Sequence, residues 1–519
     1  VVVKPEACEG AVTYPRVKPL ASVAKSAMEA KGGTCSRVLY FIMNYHLETS
    51  LRSRDFGPRR MHWPSHSLCA GRRKGDAKES KMRQQELFVD DRDLFERLCS
   101  LDHLEKGFRA VKRNRGAPGI DGVTIGAFEQ NLGNELPRLR RELLNWEYKP
   151  SPVRRVEIPK PGKDAGVRLL GVPCVRDRVV QATLKLILEP ILDPKFSDNS
   201  YGFRPGRNQR QAVESAKGIV RSGKEYVVDI DLSKFFDRVQ HDRLMYRLSA
   251  LIPDKRILRV IGMTLRSGVM KDGLVSPSRQ GTPQGGPLSP LLSNVVLDEL
   301  DKELEHRGLE FCRFADDCNI FVRTQKSAER GMQSISKYIE NKLKLVVNRE
   351  KSKVALARYV KFLGMTILAG SLIISAVSMK RAMQRVKELT PRGSHLRLEE
   401  TIEQINQWYM GWSGYYKITQ YPYQLLKIEA HIRRRLRSRL IGQHKRRRFL
   451  YHKLIKRGVA PSMAARAVFS NNGRWVLSHR SAVERAYPNR WFITEMNLKI
   501  RSDKGYAHWK SVKTRIKVA

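Results

Sequence analysis

The stretch that decides the fold is FCRFADDCNIFV at Phe311–Val322. Two short, largely apolar runs at 311–314 and 319–322 flank four residues that include two adjacent aspartates. This pattern predicts an antiparallel hairpin with Asp316 and Asp317 at its tip. Two carboxylates so close repel each other, and both stay ionised in a packed domain only beside a cation. The sequence therefore predicts a divalent metal site at the tip of a hairpin.

The strand expected beside this hairpin is YVVDIDL at 226–232. Because side chains alternate along a strand, Asp229 and Asp231 share one face and Ile230 points to the other. Asp231 ends the strand and is the natural third carboxylate, with Asp229 as the weaker candidate. Carboxylates suit Mg²⁺, with Mn²⁺ as a possible substitute. Two such ions roughly 3.5–4 Å apart support nucleotidyl transfer. For the aspartate turn taken alone, an exposed acidic hairpin tip is the alternative.

The charge of the chain indicates a polyanionic partner. Its 519 residues carry 98 Lys plus Arg against 52 Asp plus Glu, a formal net charge of +46. Hydrophobic residues make up 41%, so the charge coats folded domains, and nucleic acid is the partner that fits it. No apolar run reaches the ~18 residues of a membrane span, so we expect no membrane partner. Seven scattered cysteines form no disulfide or zinc pattern, which predicts a reducing, cytoplasmic location.

By these and further motifs the chain resembles the reverse transcriptases encoded by bacterial group II introns. Seven blocks follow in the family's order: 155–181, 199–207, 229–237, 280–290, 314–317, 348–353 and 361–364. The resemblance implies an α+β right-hand polymerase, with fingers and a palm built on an antiparallel sheet and an α-helical thumb or maturase domain behind them. It makes Asp231 and Asp316 the principal ligands of two Mg²⁺ ions and Asp317 a supporting one. Phe314 stands where the family more often has tyrosine, which leaves the metal ligands intact.

The resemblance also assigns the nucleotide site. Lys160 and Arg168 hold the incoming triphosphate, and Gln284 in the glycine-rich loop contacts a base edge or a sugar. Solvated surface charges and a plain turn are the alternatives for these residues.

Two further residues are assigned with an alternative kept open. Phe236 is the predicted steric gate against a ribose 2′-hydroxyl, and an ordinary core phenylalanine is the competing interpretation. Lys351 is predicted to act on the leaving pyrophosphate as a general acid. The neighbouring Lys353 remains open for the same role.

Changes in composition and periodicity along the chain, together with the family resemblance, predict five segments. Residues 1–82 form a disordered or non-native extension, 83–228 the fingers with an N-terminal RNA-binding extension, and 229–375 the catalytic palm. Residues 376–470 form the helical thumb or maturase domain, and 471–519 a basic nucleic-acid-binding tail. Missing paired cysteines after Cys318 predict a type without the appended endonuclease.

A basic stretch with interleaved apolar residues predicts an RNA-binding helix in the thumb region. The candidate residues are Arg433, Arg434, Arg435, Arg437, Lys445, Arg446, Arg447 and Arg448. An aromatic stripe precedes them, and its helical spacing favours a core face over base stacking. Its members are Trp408, Tyr409, Trp412, Tyr415 and Tyr416.

The function implied is RNA-directed DNA synthesis from dNTPs on an RNA template with a DNA primer. The resemblance adds binding of a group II intron RNA to promote splicing, and copying of that RNA into target DNA during mobility. The alternatives are a host-adapted reverse transcriptase in defence or repair, and a non-enzymatic splicing factor.

Overall fold

The computed structural model describes residues 93–159, 167–271, 274–276, 280–281, 285–444 and 446–501, with the backbone only at 168, 271, 274 and 275. These residues belong to one compact unit, Val89–Ala519. The predicted extension at 1–82 lies outside them.

The first part of the described chain is a helical layer with a small sheet. Its elements are α1 (Leu94–Cys99), α2 (Leu101–Arg113), α3 (Ile125–Gln130), α4 (Leu132–Leu144), β1 (Val153–Pro159), β2 (Val167–Val172) and α5 (Val175–Leu192). The helix α5 is buried over most of its length, and its apolar side chains join those of α1, α2 and α4 in one core.

The middle of the chain contains the larger sheet. Its elements are α6 (Gln209–Arg221), β3 (Tyr226–Ile230), α7 (Phe235–Arg238), α8 (His241–Leu251), α9 (Lys255–Leu265), β4 (Val269–Lys271), β5 (Leu274–Ser276), α10 (Ser289–His306), β6 (Glu310–Phe314), β7 (Asp317–Val322), α11 (Gln325–Asn341), β8 (Lys353–Leu356), β9 (Met365–Leu368) and β10 (Ser371–Ile374). The strands β6, β7, β3 and β8 form an antiparallel sheet in that order, and β2, β1, β4 and β5 form the smaller one.

The two faces of the larger sheet have different partners because side chains alternate along β3. Val228 and Ile230 point into the core that the sheet shares with α5, α10 and α11. Val227 points to the other face, into an apolar cluster with α6 and the hairpin β9–β10. Asp229 follows Val227 on that second face. The acidic end of the strand therefore lies beyond the part of the sheet that α6 and the hairpin β9–β10 cover.

The last part is helical, with α12 (Ala376–Leu389), α13 (Leu398–Tyr416), α14 (Tyr423–Gly442), α15 (Arg447–Lys456), α16 (Pro461–Val468), α17 (Arg474–Leu477), α18 (Ser481–Ala486) and α19 (Asn489–Thr494). One core runs through these helices to Leu498. Trp491 and Phe492 are buried in it, so the start of the segment predicted as a basic tail, 471–498, folds with the thumb helices.

The predicted fold class is confirmed, with antiparallel strands first and helices after Ala376. The hairpin has the predicted place, with a two-residue turn at 315–316. At the start of α10, Ser289 is the first helical residue, Pro290 lies in the first turn and Leu288 occupies the cap position. In the described part of the chain, no helix is long and apolar enough to cross a membrane.

Candidate catalytic site

Three aspartates converge on one face of the larger sheet. Ile230 pairs with Cys318, and Asp229 pairs with Asn319. Residues paired across antiparallel strands share a face, so Asp231 and Asp317 follow next to each other on the side of Asp229. All three side chains line one cleft.

A loop after α11 fixes the backbone of Asp231. The Asp231 amide donates to Ser352 Oγ at 3.0 Å, and the Asp231 carbonyl accepts from the Asn348 amide at 2.8 Å. The same loop places Lys351 Nζ 3.9 Å from Asp231 Oδ1. The ammonium group of Lys353 instead donates to the Tyr359 carbonyl at 3.2 Å. This geometry favours Lys351 over Lys353 as the lysine beside Asp231.

The aspartate turn has a strained start. Ala315 has a φ of +57°, a left-handed conformation that costs an ordinary residue about 1–2 kcal/mol. Asp316 follows it in the turn and is half-buried. Asp317 is the first residue of β7, and its side chain lines the cleft.

The buried side chain of Arg313 stabilises this turn through a hydrogen bond to its backbone. Arg313 is 0% exposed and forms an ion pair with Asp301, which is also 0% exposed, with Nε to Oδ1 at 2.7 Å. Its Nη1 donates to the Ala315 carbonyl at 2.9 Å and to Asn294 Oδ1 at 3.2 Å. Its Nη2 donates to Ser200 Oγ at 2.7 Å as well as to Asp301. Every guanidinium nitrogen is therefore bonded, and one bond goes to the turn itself.

The block at 199–207 runs alongside β6 and presses on the same turn. The Tyr201 amide donates to the Arg313 carbonyl at 2.9 Å. A Cβ on Gly202 would come within 2.2 Å of the Ala315 amide nitrogen, so only glycine permits this approach. The Asn294 side chain donates to the Gly202 carbonyl at 2.9 Å.

The residues Arg313, Asp301, Asn294 and Gly202 thus position the turn, and the sequence did not predict this role. The available signal was an asparagine among the mostly apolar residues 291–297 of the helix α10.

Burial and mutual repulsion raise the pKa values of two aspartates of the cleft. Partial desolvation, followed by the charges of Asp316 and Asp231, raises the pKa of Asp317 to about 6. Burial likewise raises the pKa of Asp229 to about 6, against the opposing charge of Lys353. Closely placed carboxylates that resist ionisation form a set of hard oxygen donors that a divalent cation would stabilise.

These residues fit Mg²⁺ as a polymerase uses it. In the described ranges, no three His, Cys, Asp or Glu side chains form a ready-made metal cage. Mg²⁺ binds through one or two carboxylates together with substrate phosphates, and the aspartates of the cleft offer carboxylates of this kind.

The pKa values predict competition between protons and metal. The pKa of Asp317 is raised to about 6, so below that pH a proton occupies one of the carboxyl groups expected to bind the cation. We expect the apparent dissociation constant of Mg²⁺ to rise by up to about tenfold per pH unit below 6 and to level off above 7. Calorimetric titration at pH 5, 6 and 7.5 measures this. An equal affinity at all three values would contradict it.

The cleft continues from the acids to the thumb. Besides Lys351 and Lys353, it is lined by Lys361, Arg381 and Arg385. Four residues of the aromatic stripe line it as well: Trp408, Trp412, Tyr415 and Tyr416. The fifth, Tyr409, is fully buried. The preference for a core face is therefore correct for Tyr409, while its four neighbours are half-buried and form one wall of the cleft.

The turn after β8 is tied to this wall. Leu363 and Gly364 both have left-handed backbones, with φ values of +49° and +83°. The Tyr415 hydroxyl donates to the Leu363 carbonyl at 2.8 Å, and Tyr416 lies close to Gly364. In addition, Arg210 donates from α6 to the Gly414 carbonyl at 3.1 Å. The thumb is thus joined beside the cleft to the palm through Tyr415 and to the segment predicted as fingers through Arg210.

The predicted nucleotide-binding residues are only partly described. Lys160 and Gln284 lie outside the described residues, and at Arg168 the backbone pairs with Ile158 across β1 and β2. Phe236 is half-buried, with its ring 5.2 Å from that of Phe235 in an edge-on arrangement.

Two of the three glycines of the glycine-rich loop, Gly285 and Gly286, approach other backbone and side-chain atoms closely. A Cβ on Gly285 would lie 2.6 Å from the Gly171 carbonyl, and one on Gly286 would lie 2.4 Å from Gln181 Oε1. The absence of a side chain at these two glycines therefore permits the loop to pack closely against Gly171 and Gln181.

Several arginines of the predicted RNA-binding set have structural partners. Arg437 is 5% exposed and donates to the Tyr487 carbonyl at 2.9 Å and to Asn489 Oδ1 at 2.8 Å. It stabilises the packing of α14 on α19, and its buried position does not fit the predicted contact with RNA. Arg435 donates to Thr390 Oγ1 at 2.9 Å.

The remaining members of the set differ in accessibility. Arg434 stacks on Trp475 at 4.1 Å, and Arg433 lies 4.0 Å from Glu429. Arg447 donates to the Val468 carbonyl at 2.9 Å but keeps an exposed side chain. The neighbouring arginines 446 and 448 are exposed too, and Lys445 lies outside the described residues. The surface around 446–448 is therefore the part of the set that remains accessible.

Comparison with known proteins assigns both halves of the described chain. Residues 158–367 match the family "Reverse transcriptase (RNA-dependent DNA polymerase)", and residues 379–458 match "Group II intron, maturase-specific domain". The first match contains the aspartate cleft, and the second contains the helices α13 and α14. The fold and the site thus define a reverse transcriptase, an RNA-directed DNA polymerase with a maturase domain behind it.

Curated relatives agree with this class. Protein YkfC of Escherichia coli K12 is 34% identical over 291 residues, which cover 48% of this chain and 76% of that protein. The group II intron-encoded protein LtrA of Lactococcus lactis subsp. cremoris is 30% identical over 282 residues, 54% of this chain and 45% of LtrA. This chain belongs to the group II intron reverse transcriptase and maturase family, and it aligns with less than half the length of LtrA.

Proposed function

We propose that the protein copies RNA into DNA by attack of a primer 3′-hydroxyl on a dNTP in the aspartate cleft. The observation that carries this is the convergence of Asp231 and Asp317 on one face of the palm sheet, inside the reverse transcriptase match. A pair of Mg²⁺ ions, when bound, would activate the hydroxyl and neutralise the leaving pyrophosphate.

The chain's own residues have distinct tasks in this proposal. Asp231 and Asp316 supply the principal oxygen ligands that the family resemblance implies, and Asp317 is a supporting carboxylate. Lys351 lies close enough to Asp231 to meet the charge that develops on the leaving group. Lys160, Arg168 and Gln284 keep the nucleotide-binding roles that the family resemblance implies.

Primer extension tests the proposal directly. Purified protein with poly(rA)/oligo(dT), dTTP and Mg²⁺ should yield extended DNA, and EDTA should abolish the product. Parallel reactions with Mn²⁺ identify the metal preferred. A folded protein that binds the primer–template but gives no product under either metal would contradict the assignment and favour a binding protein.

The position of Phe236 supports its role as a steric gate. Lys234, just before it, has a φ of +50°, which turns the chain sharply after the Asp231 strand. A Cβ on Gly281 would lie 3.0 Å from the Phe236 carbonyl, so the start of the glycine-rich loop lies against this turn. Phe236 therefore lies in the 229–237 block beside the start of the glycine-rich loop, and it is only half-buried.

We expect Phe236→Ala to admit ribonucleotides. Loss of the ring removes the collision with the 2′-hydroxyl, so the ratio of kcat/KM for dTTP over UTP should fall by about a hundredfold. Single-nucleotide extension measures the ratio. Phe236→Tyr keeps the ring and serves as control. Unchanged rejection of UTP by Phe236→Ala would assign the ring to the core alone.

The maturase match supports a second task, binding of a group II intron RNA. We propose that this binding promotes splicing and precedes copying of the RNA into target DNA, as the family resemblance implies. The accessible basic surface at 446–448, on a chain of net charge +46, fits a polyanion. A cytoplasmic location is proposed with it.

A further inference from the structure

Phe203 combines two features that are unfavourable together. Its side chain is 45% exposed, and its backbone has a φ of +60°. Non-glycine residues adopt this left-handed conformation at a cost, and such strain concentrates at functional sites. A large ring left in water gains little burial in return. Glycine or asparagine would satisfy the same backbone more cheaply.

The backbone on both sides of Phe203 is clamped. Gly202 is pressed against the aspartate turn and accepts a hydrogen bond from Asn294. Arg204 has a side chain only 4% exposed, and it donates to Asp193 Oδ1 at 2.7 Å and to the Ser200 carbonyl at 3.1 Å. These anchors explain the left-handed φ. They do not explain why an aromatic ring is displayed there.

The segment that carries Phe203 begins and ends at the catalytic site. Its preceding residue contacts Ala315, the first residue of the aspartate turn. Six residues further on, Gln209 lines the cleft together with Asp231 and Asp317. The exposed ring therefore belongs to a short segment that reaches the catalytic site on both sides of it.

We propose that Phe203 stacks on an unpaired nucleotide of the template strand beside the catalytic turn. The inference rests on the proposed polymerase function and adds a nucleic-acid contact to it. An uncharged ring offers no ion pair to phosphates, but its face matches the face of any base. Within a duplex the base faces already stack on each other. The unpaired bases near a polymerase site belong to the template ahead of the primer end.

Binding measurements without catalysis test this contact. The probes are an RNA template–DNA primer with a single-stranded 5′ template overhang and a blunt duplex of the same paired length. We expect Phe203→Ala to weaken binding of the overhang substrate about 10–100-fold and to leave binding of the blunt duplex unchanged. Phe203→Tyr should retain the affinity. Fluorescence anisotropy at fixed salt gives both constants.

Two further variants separate stacking from structure. Phe203→Gly removes the backbone strain together with the ring, so its melting temperature should hold or rise while its overhang affinity falls as in Phe203→Ala. Tyr246→Ala is the matched control, because Tyr246 is a 77% exposed aromatic in the helix α8 with ordinary helical backbone. It should change neither constant.

The outcomes distinguish this inference from the proposed function. Unchanged overhang affinity in Phe203→Ala, or an equal loss on both probes, overturns the inference even if the wild type synthesises DNA. An overhang-specific loss supports the inference even if the wild type synthesises none, in which case only the polymerase assignment fails.

Discussion

Replacing Asp231 by asparagine should abolish metal-dependent DNA synthesis while leaving the protein folded. The variant keeps the size of the side chain, and the hydrogen bonds that fix its backbone to Ser352 and Asn348 do not involve the carboxylate. It loses the charge that binds the metal and pairs with Lys351. Metal ions contribute several kcal/mol of transition-state stabilisation, so the rate should fall by about a thousandfold or more.

Single-turnover extension with prebound primer–template measures this effect, since it excludes changes in binding. Asp242→Asn is the matched control, because Asp242 is an exposed aspartate in the first turn of α8. It should extend at the wild-type rate. If Asp231→Asn kept more than a tenth of the wild-type rate, Asp231 would not be a metal ligand of the reaction.

Replacing Asp301 by alanine should produce the largest loss of stability. It leaves the guanidinium of Arg313 fully buried without its counter-ion, and breaking such a pair costs about 3–5 kcal/mol. Because Arg313 also bonds the Ala315 carbonyl, the same variant should loosen the aspartate turn and lower the rate of synthesis.

Denaturant unfolding of the wild type and of Asp301→Ala measures the difference in the free energy of unfolding. The surface pair Arg207–Asp198 provides the control, since Asp198 is 93% exposed and its replacement by alanine should change little. The double variant Asp301→Leu, Arg313→Met should recover much of the stability, because apolar residues can replace a buried ion pair. It should not recover activity, since no donor remains for Ala315. Full stability in Asp301→Ala alone would contradict the role of the pair.

The catalytic face could be predicted from sequence because strand alternation is local. Two aspartates at alternate positions of β3 and a hairpin tip rich in acid leave few other arrangements. The support of the turn could not be predicted in the same way. Arg313 reads as a polar interruption in an apolar strand, and its partner Ser200 lies 113 positions away. Contacts of that separation leave no periodic trace in the sequence.

In the basic helix, the sequence predicts the kind of ligand but not which side chains can reach it. Its composition predicts RNA binding, but composition does not reveal which arginines donate to nearby carbonyls. The buried Arg437 donates to a carbonyl group within the fold, whereas arginines 446–448 remain accessible to solvent. The same ambiguity applied to the aromatic stripe, where one helical face supplies both the buried Tyr409 and the wall of the cleft.

The bonds from Tyr415 to Leu363 and from Arg210 to Gly414 bear on how long the enzyme stays on one RNA. A polymerase releases its template when the helical domain lifts away from the palm, and here such a movement would first have to break both bonds. Synthesis should therefore outpace dissociation over many nucleotides, and the enzyme should finish a long, folded transcript in one encounter. Part of the resistance to release would thus come from hydrogen bonds that touch neither substrate.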